Sequence, residues 1–289
     1  MIRVVAIVAP GNMGSAVGRR LTENGVSVLT TLAGRGAASV GRASAAGMTD
    51  VPLDRLTGAE IVLSILPPAH ALPFAEQMAP LLLAAERKPV FVDCNAVSPE
   101  TVRRIGIVVA GTGAPFVDAS IIGLAPKPGQ ASPHIYVCGD SAARARVLVL
   151  GEYGLDVRVL DGAVGAASAL KMCYAGINKG VAALASAMIL AATRSGATEA
   201  LYQEMSESLP GLLQSLRRQV PDMLPKAYRW VAEMREIAAF AGEDAAAREV
   251  FSGFAELFAR VSRDVAGEKI ESGVLTGFFK ESERSLNIG

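Results

Sequence analysis

The chain has no excess of charge of either sign. Twenty-eight Lys and Arg stand against 28 Asp and Glu in 289 residues, for a net charge of zero. A chain-wide basic footprint for nucleic acid or an anionic membrane is therefore absent, although a small local anion site is allowed. Cysteine is scarce and odd in number: Cys94, Cys138 and Cys173 lie far apart, with no Cys-x-x-Cys spacing, and His70 and His134 are the only histidines. That excludes a disulfide framework, leaves no zinc-ligand pattern, and points to a reducing, cytoplasmic compartment with no metal. Long hydrophobic runs are missing too. Gly180–Thr193, the longest uncharged stretch of the second half, falls short of the about 20 residues a membrane span needs. The apolar start, Met1–Pro10, is too short for a signal peptide. What the chain does have is apolar bulk: 51 % hydrophobic against 19 % charged residues, enough to bury a sizeable core. At roughly 100–200 residues per domain, the length favours two domains.

Two textures divide the sequence. In the first, short apolar runs alternate with Gly/Pro punctuation: Ile2–Val8, Val26–Leu29, Ile61–Leu66, Val90–Val92, Ile107–Val109, Phe116–Val117 and Ile135–Cys138 read as strands, with a Pro/Gly/Ser loop at Pro126–Pro133. Strands interleaved with helical stretches such as Ser15–Asn24 predict βαβ units and a mainly parallel sheet. In the second, Gly162–Ser195 reads as one long helix, apolar nearly all round and so expected to be covered. Prolines 210, 221 and 225 punctuate shorter helices, and Tyr228–Phe240 and Asp244–Val261 are amphipathic. The predicted class is α/β, a doubly wound sheet over residues 1–161 followed by an all-helical domain over 162–289.

The first strand runs into Ala9-Pro10-Gly11-Asn12-Met13-Gly14 and then a helix. This is the setting of a dinucleotide-binding turn. The second glycine lets a pyrophosphate approach the backbone, the third lets the helix pack on the strand, and the helix N-terminus offers N–H groups and a positive dipole. Ala9 replaces the first glycine and permits the turn if its φ is negative. The same segment also reads as a purely structural βα turn. An NAD site ordinarily carries an acid at the end of the second strand. Here that position offers Thr30, Thr31 and Arg35 instead. Hydroxyls and a guanidinium suit a 2′-phosphate, which favours NADP(H) over NAD(H). Arg35 as an ordinary loop arginine is the alternative.

On the long helix, Ser168, Lys171, Tyr174 and Asn178 form one polar stripe on an otherwise apolar surface. A buried lysine is costly unless paired or used, and burial lowers its pKa toward the range useful for proton transfer. The competing reading is a lysine that snorkels out or pairs with an acid. Cys173 is read as a packed core thiol, Trp230 and Met234 as core packing, His134 as structural, and Asp93 as a group that satisfies backbone near the cofactor.

In serial order, the turn with Met13-Gly14, Leu66-Pro67-Pro68 after a strand, Asp93-Cys94-Asn95-Ala96-Val97-Ser98-Pro99, Phe116-Val117-Asp118-Ala119-Ser120-Ile121-Ile122-Gly123 and Gly165 through Lys171 resemble the β-hydroxyacid dehydrogenase and 6-phosphogluconate dehydrogenase superfamily. The resemblance covers about residues 1–195, and the tail around Arg229-Trp230 is similar to a subgroup with a phosphogluconate-dehydrogenase-like helical domain. It implies a Rossmann-type first domain whose Gly11, Asn12, Met13 and Gly14 hold the pyrophosphate. It implies that Leu66 and Pro67 line the cofactor path, that Asn95 sits near the nicotinamide, and that Lys171 is the general acid/base of hydride transfer. It places the substrate near Ser120, Ile122, Gly123, Tyr174 and Asn178.

Several positions depart from the family pattern. Ile122 stands where a serine is usual, Leu124 replaces a glycine, Ala175 an asparagine, and Asn178 a glutamate of the decarboxylating members. These changes suggest an apolar pocket formed by Ile121, Ile122 and Leu124 and a larger or less polar small-molecule substrate. The alternatives are an imine reductase, against which the retained Lys171 argues, and a non-catalytic NADP(H)-binding sensor. Arg229 and Arg235 read as solvated helix-face residues, with the binding of a substrate acid group as the alternative. The resemblance also implies a homodimer through the helical domain.

Overall fold

The computed structural model describes residues 2–126 and 129–280. Residues 127 and 128 of the predicted Pro/Gly/Ser loop lie outside them. The chain runs β1 (Val4–Val8), α1 (Asn12–Glu23), β2 (Ser27–Thr30), α2 (Ala37–Ala45), β3 (Thr49–Asp50), β4 (Ile61–Ser64), α3 (Ala71–Ala84), β5 (Val90–Asp93), α4 (Pro99–Ala110), β6 (Phe116–Ile122), β7 (His134–Gly139), α5 (Ser141–Leu148) and β8 (Asp156–Val159). Helices alone follow: α6 (Ala166–Arg194), α7 (Thr198–Ser208), α8 (Pro210–Met223), α9 (Ala227–Phe240), α10 (Ala245–Ala266) and α11 (Ile270–Lys280).

The strands make one sheet in the order β3-β2-β1-β4-β5-β6-β7-β8, parallel except between β6 and β7. The chain leaves β1 toward β3 and returns to β4 on the other side. The carboxyl ends of β1 and β4 therefore flank the switch point where doubly wound sheets of this Rossmann-type order bind dinucleotides. Both faces of the central strands are covered. Val5 and Ile7 of β1 join the core layer shared with Val17 and Leu21 of α1 and Val147 of α5. Ala6 and Val8 join the layer shared with Phe74 and Met78 of α3 and Val102 and Ile105 of α4. Two-sided burial is why these strands read as unbroken apolar runs.

Residues 107–109, predicted as a strand, lie inside α4. Ser98 caps that helix by accepting a hydrogen bond from the Thr101 N–H, Pro99 opens it, and Glu100 stands in its first turn. Val102, Ile105 and Val109 are buried on a helical period, while Ile107 is 72 % exposed. The cap and the 3.6-residue period outweigh the β-branched run. β3 escaped prediction because its two residues, Thr49 and Asp50, carry no apolar signal, and β8 because its valines, Val157 and Val159, alternate with charged residues instead of forming an apolar run. β8 is an edge strand, blunted by Asp156, which accepts from His134 and Arg158.

The described residues divide into two compact units, one ending at Met172 and the other starting at Cys173. The anticipated boundary near residue 161 falls at the turn before α6. The units part inside α6 instead, because its first turns are hydrogen-bonded to β6.

In the second unit, Gly176 and Gly180 of α6 lie under the rings of Phe251 and Phe254 of α10, where a Cβ would come within 3.1 Å. Trp230 packs edge-on to Phe258, and Met234, Ile237 and Val261 are buried. α6 is long and apolar enough to cross a membrane by composition. Ala182, Ala183, Ser186, Ile189 and Leu190 are nonetheless buried within the fold, which makes it a core helix. It is not covered all round, as the sequence suggested: Tyr174, Ile177, Leu184 and Met188 are each more than half exposed. Cys173, expected to be packed, is exposed for the same reason.

Candidate active site

The turn after β1 fits a dinucleotide pyrophosphate. The Gly11 N–H donates to the Ala9 carbonyl at 2.8 Å, and Gly11 takes the N-cap position of α1 with extended backbone. No side chain caps this helix and no acid stands in its first turn, so its leading N–H groups and dipole carry no anion of the protein's own. A Cβ on Gly11 would meet nothing and would stand in the open space a phosphate takes. A Cβ on Gly14 would collide with the Ala9 carbonyl oxygen. Ala9 itself is not among the residues with positive φ, so it makes the turn without a glycine's freedom. Arg42 of α2, which sequence reasoning passed over, donates through Nε to the Pro10 carbonyl at 3.0 Å and ties α2 to the turn.

The end of β2 corrects part of the cofactor reading. Thr30 is fully buried and its hydroxyl donates to the Ile7 carbonyl at 2.8 Å, so it is not free to meet a ligand. Thr31 is buried as well, and Arg35 is exposed on the following turn. A nearby carboxylate, Asp50 of β3, accepts the Leu32 N–H at 2.8 Å.

A row of polar side chains crosses the sheet where the sequence showed only isolated polar residues in apolar runs. Ser64 of β4, Asp93 of β5, Asp118 of β6 and Cys138 of β7 are register partners in turn. All four are essentially inaccessible to solvent. Asn95 knits one end of this row. Its Oδ1 accepts the Leu66 N–H at 2.6 Å, and its Nδ2 donates to Ser64 Oγ at 2.9 Å and Asp93 Oδ2 at 2.7 Å. Asp93 also accepts the Asn95 N–H. The amide expected to reach a nicotinamide is thus largely spent on bracing the β4 and β5 ends. Leu66 is buried beside it and Pro67 is exposed.

Asp118 knits the other end. It accepts from the Gly165 N–H at 2.8 Å, from Ser168 Oγ at 2.9 Å, from the Ser168 N–H at 3.4 Å and from Cys138 Sγ at 3.1 Å. Gly165 must be glycine, with φ of 108° and the Arg103 guanidinium against it. Ser120, proposed for the substrate, is buried and donates to the Ala167 carbonyl at 2.6 Å, a second tie between β6 and α6.

Lys171 stands one helical turn beyond Ser168, half-buried. Burial pushes its pKa below the ordinary lysine value, while the carboxylates of Asp93 and Asp118 oppose that shift. No described residue hydrogen-bonds or ion-pairs to its ammonium. Asp93, held up by burial and then by the Asp118 charge against its hydrogen bonds from Asn95, has its pKa raised to about 6. Burial raises the Cys94 thiol and pushes Cys138 up to about 12, so both stay neutral. Among the described residues no three metal-binding side chains converge.

The apolar substrate pocket drawn from Ile121, Ile122 and Leu124 does not form. Ile121 points into the core, Ile122 is half-buried, and Leu124 is 90 % exposed. Successive strand residues face opposite sides of a sheet. Gly123 has φ of 130°, a conformation that favours glycine, and a Cβ there would press on Pro133. Tyr174 and Asn178 belong to the second unit and are exposed. Arg229 and Arg235 are exposed, and Arg235 pairs with Glu256 at 3.5 Å.

A dinucleotide-type turn at the switch point of a doubly wound sheet is the framework of an NAD(P)-dependent dehydrogenase, and the relatives that share it are of the 3-hydroxyacid type. Residues 4–160 match the NAD binding domain of 6-phosphogluconate dehydrogenase, and the chain belongs to that family. Residues 192–261 match a domain of unknown function, DUF1932. The 3-hydroxyisobutyrate dehydrogenase of Pseudomonas aeruginosa is 28 % identical over 221 residues, 74 % of this chain and 69 % of that protein. A conserved protein of unknown function, described as structurally similar to 3-hydroxyacid dehydrogenases, superposes with a TM-score of 0.75 at 28 % identity, covering 92 % of this chain and 98 % of its own. An imine reductase from Myxococcus stipitatus, solved with NADP+, shares the fold alone: TM-score 0.55, 16 % identity, 96 % of this chain and 100 % of that one.

Proposed function

We propose that the protein is an NADP(H)-preferring oxidoreductase acting on a hydroxyl/carbonyl pair, a 3-hydroxyacid or a related compound, with Lys171 as general acid/base. The observation that carries this reading is the Lys171 ammonium. It is half-buried, lowered in pKa by burial and without a direct partner among the described residues, while the polar groups around it are engaged. In its neutral form Lys171 accepts the proton of the substrate hydroxyl; in the reverse direction it returns a proton to the carbonyl oxygen. Bound nicotinamide supplies the hydride acceptor or donor. The chain's own part is to hold the phosphates at Gly11, Asn12, Met13 and Gly14 and to place Lys171. The absence of an acid at the end of β2, with the exposed Arg35 on the following turn, supports the preference for a 2′-phosphate. The retained lysine favours alcohol chemistry over imine reduction.

The test is a panel of 3-hydroxyacids, starting with 3-hydroxyisobutyrate, assayed with NADP+ and NAD+. Turnover with NADP+ in preference to NAD+ supports the reading; in the reverse assay with NADPH, reduction of imines but of no carbonyl compound overturns it.

The homodimer belongs to the same proposal. Tyr174, Ile177, Val181, Leu184 and Met188 recur at alternating spacings of three and four along α6, the seam of a helix that packs on another helix. Solution scattering should give twice 29.9 kDa. The monomer mass at micromolar concentration contradicts it.

A further inference from the structure

We propose that Asp118 is the positioning residue for Lys171: it seats the first turn of α6 against the sheet and, beside Asp93, supplies the negative charge that Lys171 faces. The inference rests on the reading of Lys171 given above.

A fully buried carboxylate is expensive unless its lone pairs are filled. Those of Asp118 are filled from two sides. Cys138 donates from the neighbouring strand, and Gly165 and Ser168 donate from the start of α6. It therefore caps α6 from a different strand, across forty-odd residues of sequence, with its charge at the favourable end of the helix dipole. Ser120 adds a neutral tie to the Ala167 carbonyl. Ser168 and Lys171 are neighbours one turn apart on one helix face. Whatever fixes Ser168 therefore fixes where the lysine side chain starts.

The titratable groups that act on Lys171 come from two neighbouring strands: Asp93, with Cys94 just after β5, and Asp118 of β6. Cys138 of β7 lies against Asp118, and Arg103 of α4 against Gly165, at the seat of the helix. The thiols at Cys94 and Cys138 are neutral, so the two register-paired aspartates are the anions of the cluster. Burial drives the proton off Lys171 and the carboxylates draw it back. Asp118 thus seats the helix that carries the ammonium and adds its charge to that of Asp93.

The test uses the purified full chain and needs no substrate. Competitive labelling with acetic anhydride from neutral to alkaline pH, read by peptide mass spectrometry, gives the apparent pKa of Lys171, with Lys88 as internal reference. Amide hydrogen exchange over residues 165–168 reads the seat of the helix. In Asp118→Asn the Lys171 pKa should fall by about one unit, and exchange over 165–168 should rise roughly tenfold. Ser168→Ala should raise exchange and leave the lysine pKa in place; Asp93→Asn should lower the pKa and leave exchange in place.

Wild-type values of both readouts in Asp118→Asn overturn the proposal. So does a pKa shift in Ser168→Ala as large as in Asp118→Asn, which would make the effect structural alone. If Asp118→Asn does not fold, unchanged exchange in Ser168→Ala overturns the seat on its own. A Lys171→Ala enzyme with full turnover would instead sink the reading of Lys171 while leaving the exchange result standing.

Discussion

Two sets of polar side chains gather at the carboxyl ends of the strands, and they differ in whether the protein has already used them. Ser64, Asp93, Asn95, Asp118, Ser120, Ser168 and Thr30 are buried and hydrogen-bonded within the first unit. The leading N–H groups of α1, the Arg35 guanidinium and the Lys171 ammonium are not claimed by any described side chain. The first set is a platform that fixes loops and helix ends. Under the proposed function, the second set is what the platform presents to ligands. Chemistry is assigned to the second set, and residues of the first act only by holding it in place.

Substitutions in the two sets should therefore fail differently. The largest effect falls on Lys171. Lys171→Ala should cost about a thousandfold in turnover while NADPH still raises the melting temperature. Loss of cofactor binding together with turnover would move Lys171 into the platform. Because burial lowers its pKa, the rate of alcohol oxidation should rise with pH through a midpoint below the ordinary lysine value.

Asp93 comes next. Its folded pKa, about 6, lies above the unfolded carboxylate value. The unfolded chain therefore releases this proton first, and the folded state loses stability as pH climbs from about 4 to about 6. Denaturant unfolding should show wild type losing on the order of 2 kcal/mol over that interval relative to Asp93→Asn. Parallel pH profiles of the two proteins would contradict the raised pKa.

Arg35→Ala should weaken NADPH about tenfold, near 1.4 kcal/mol, and leave NADH unchanged. Equal losses for both nucleotides would make Arg35 an ordinary loop arginine. The smallest effect belongs to Thr30→Val, which removes one hydrogen bond to Ile7 and should cost about 1 kcal/mol of stability. Cofactor preference should not move, and a change in it would return Thr30 to the ligand-binding set.

The sequence made the second set far more legible than the first. A glycine turn is readable because it is local: a strand, six residues and a helix start carry the whole signal. Lys171 stood out because a cation on an apolar helix face is anomalous wherever it lies. Asp118 and Ser64 looked like single polar residues in apolar strands. Their significance depends on which strands are neighbours and in what register, and that is fixed by long-range pairing. Thr30 misled for the same reason: its hydroxyl is satisfied by the adjacent strand. The pocket built from Ile121, Ile122 and Leu124 failed because residues adjacent in sequence do not share a face of a sheet. The exposed seam of α6 was hidden by composition, since a helix apolar all round reads as covered whether or not its own chain covers it.

The most direct test of the central claim, that the unclaimed groups at the β1 and β2 ends take NADP(H), is a thermal-shift titration of the purified protein with NADPH and NADH in parallel. Stabilisation grows with ligand over Kd, reaching about 2.7 kcal/mol at a hundredfold excess over Kd. The account predicts a clear rise in melting temperature with NADPH at concentrations where NADH gives little. A flat response to both nucleotides, reduced and oxidised, would contradict it.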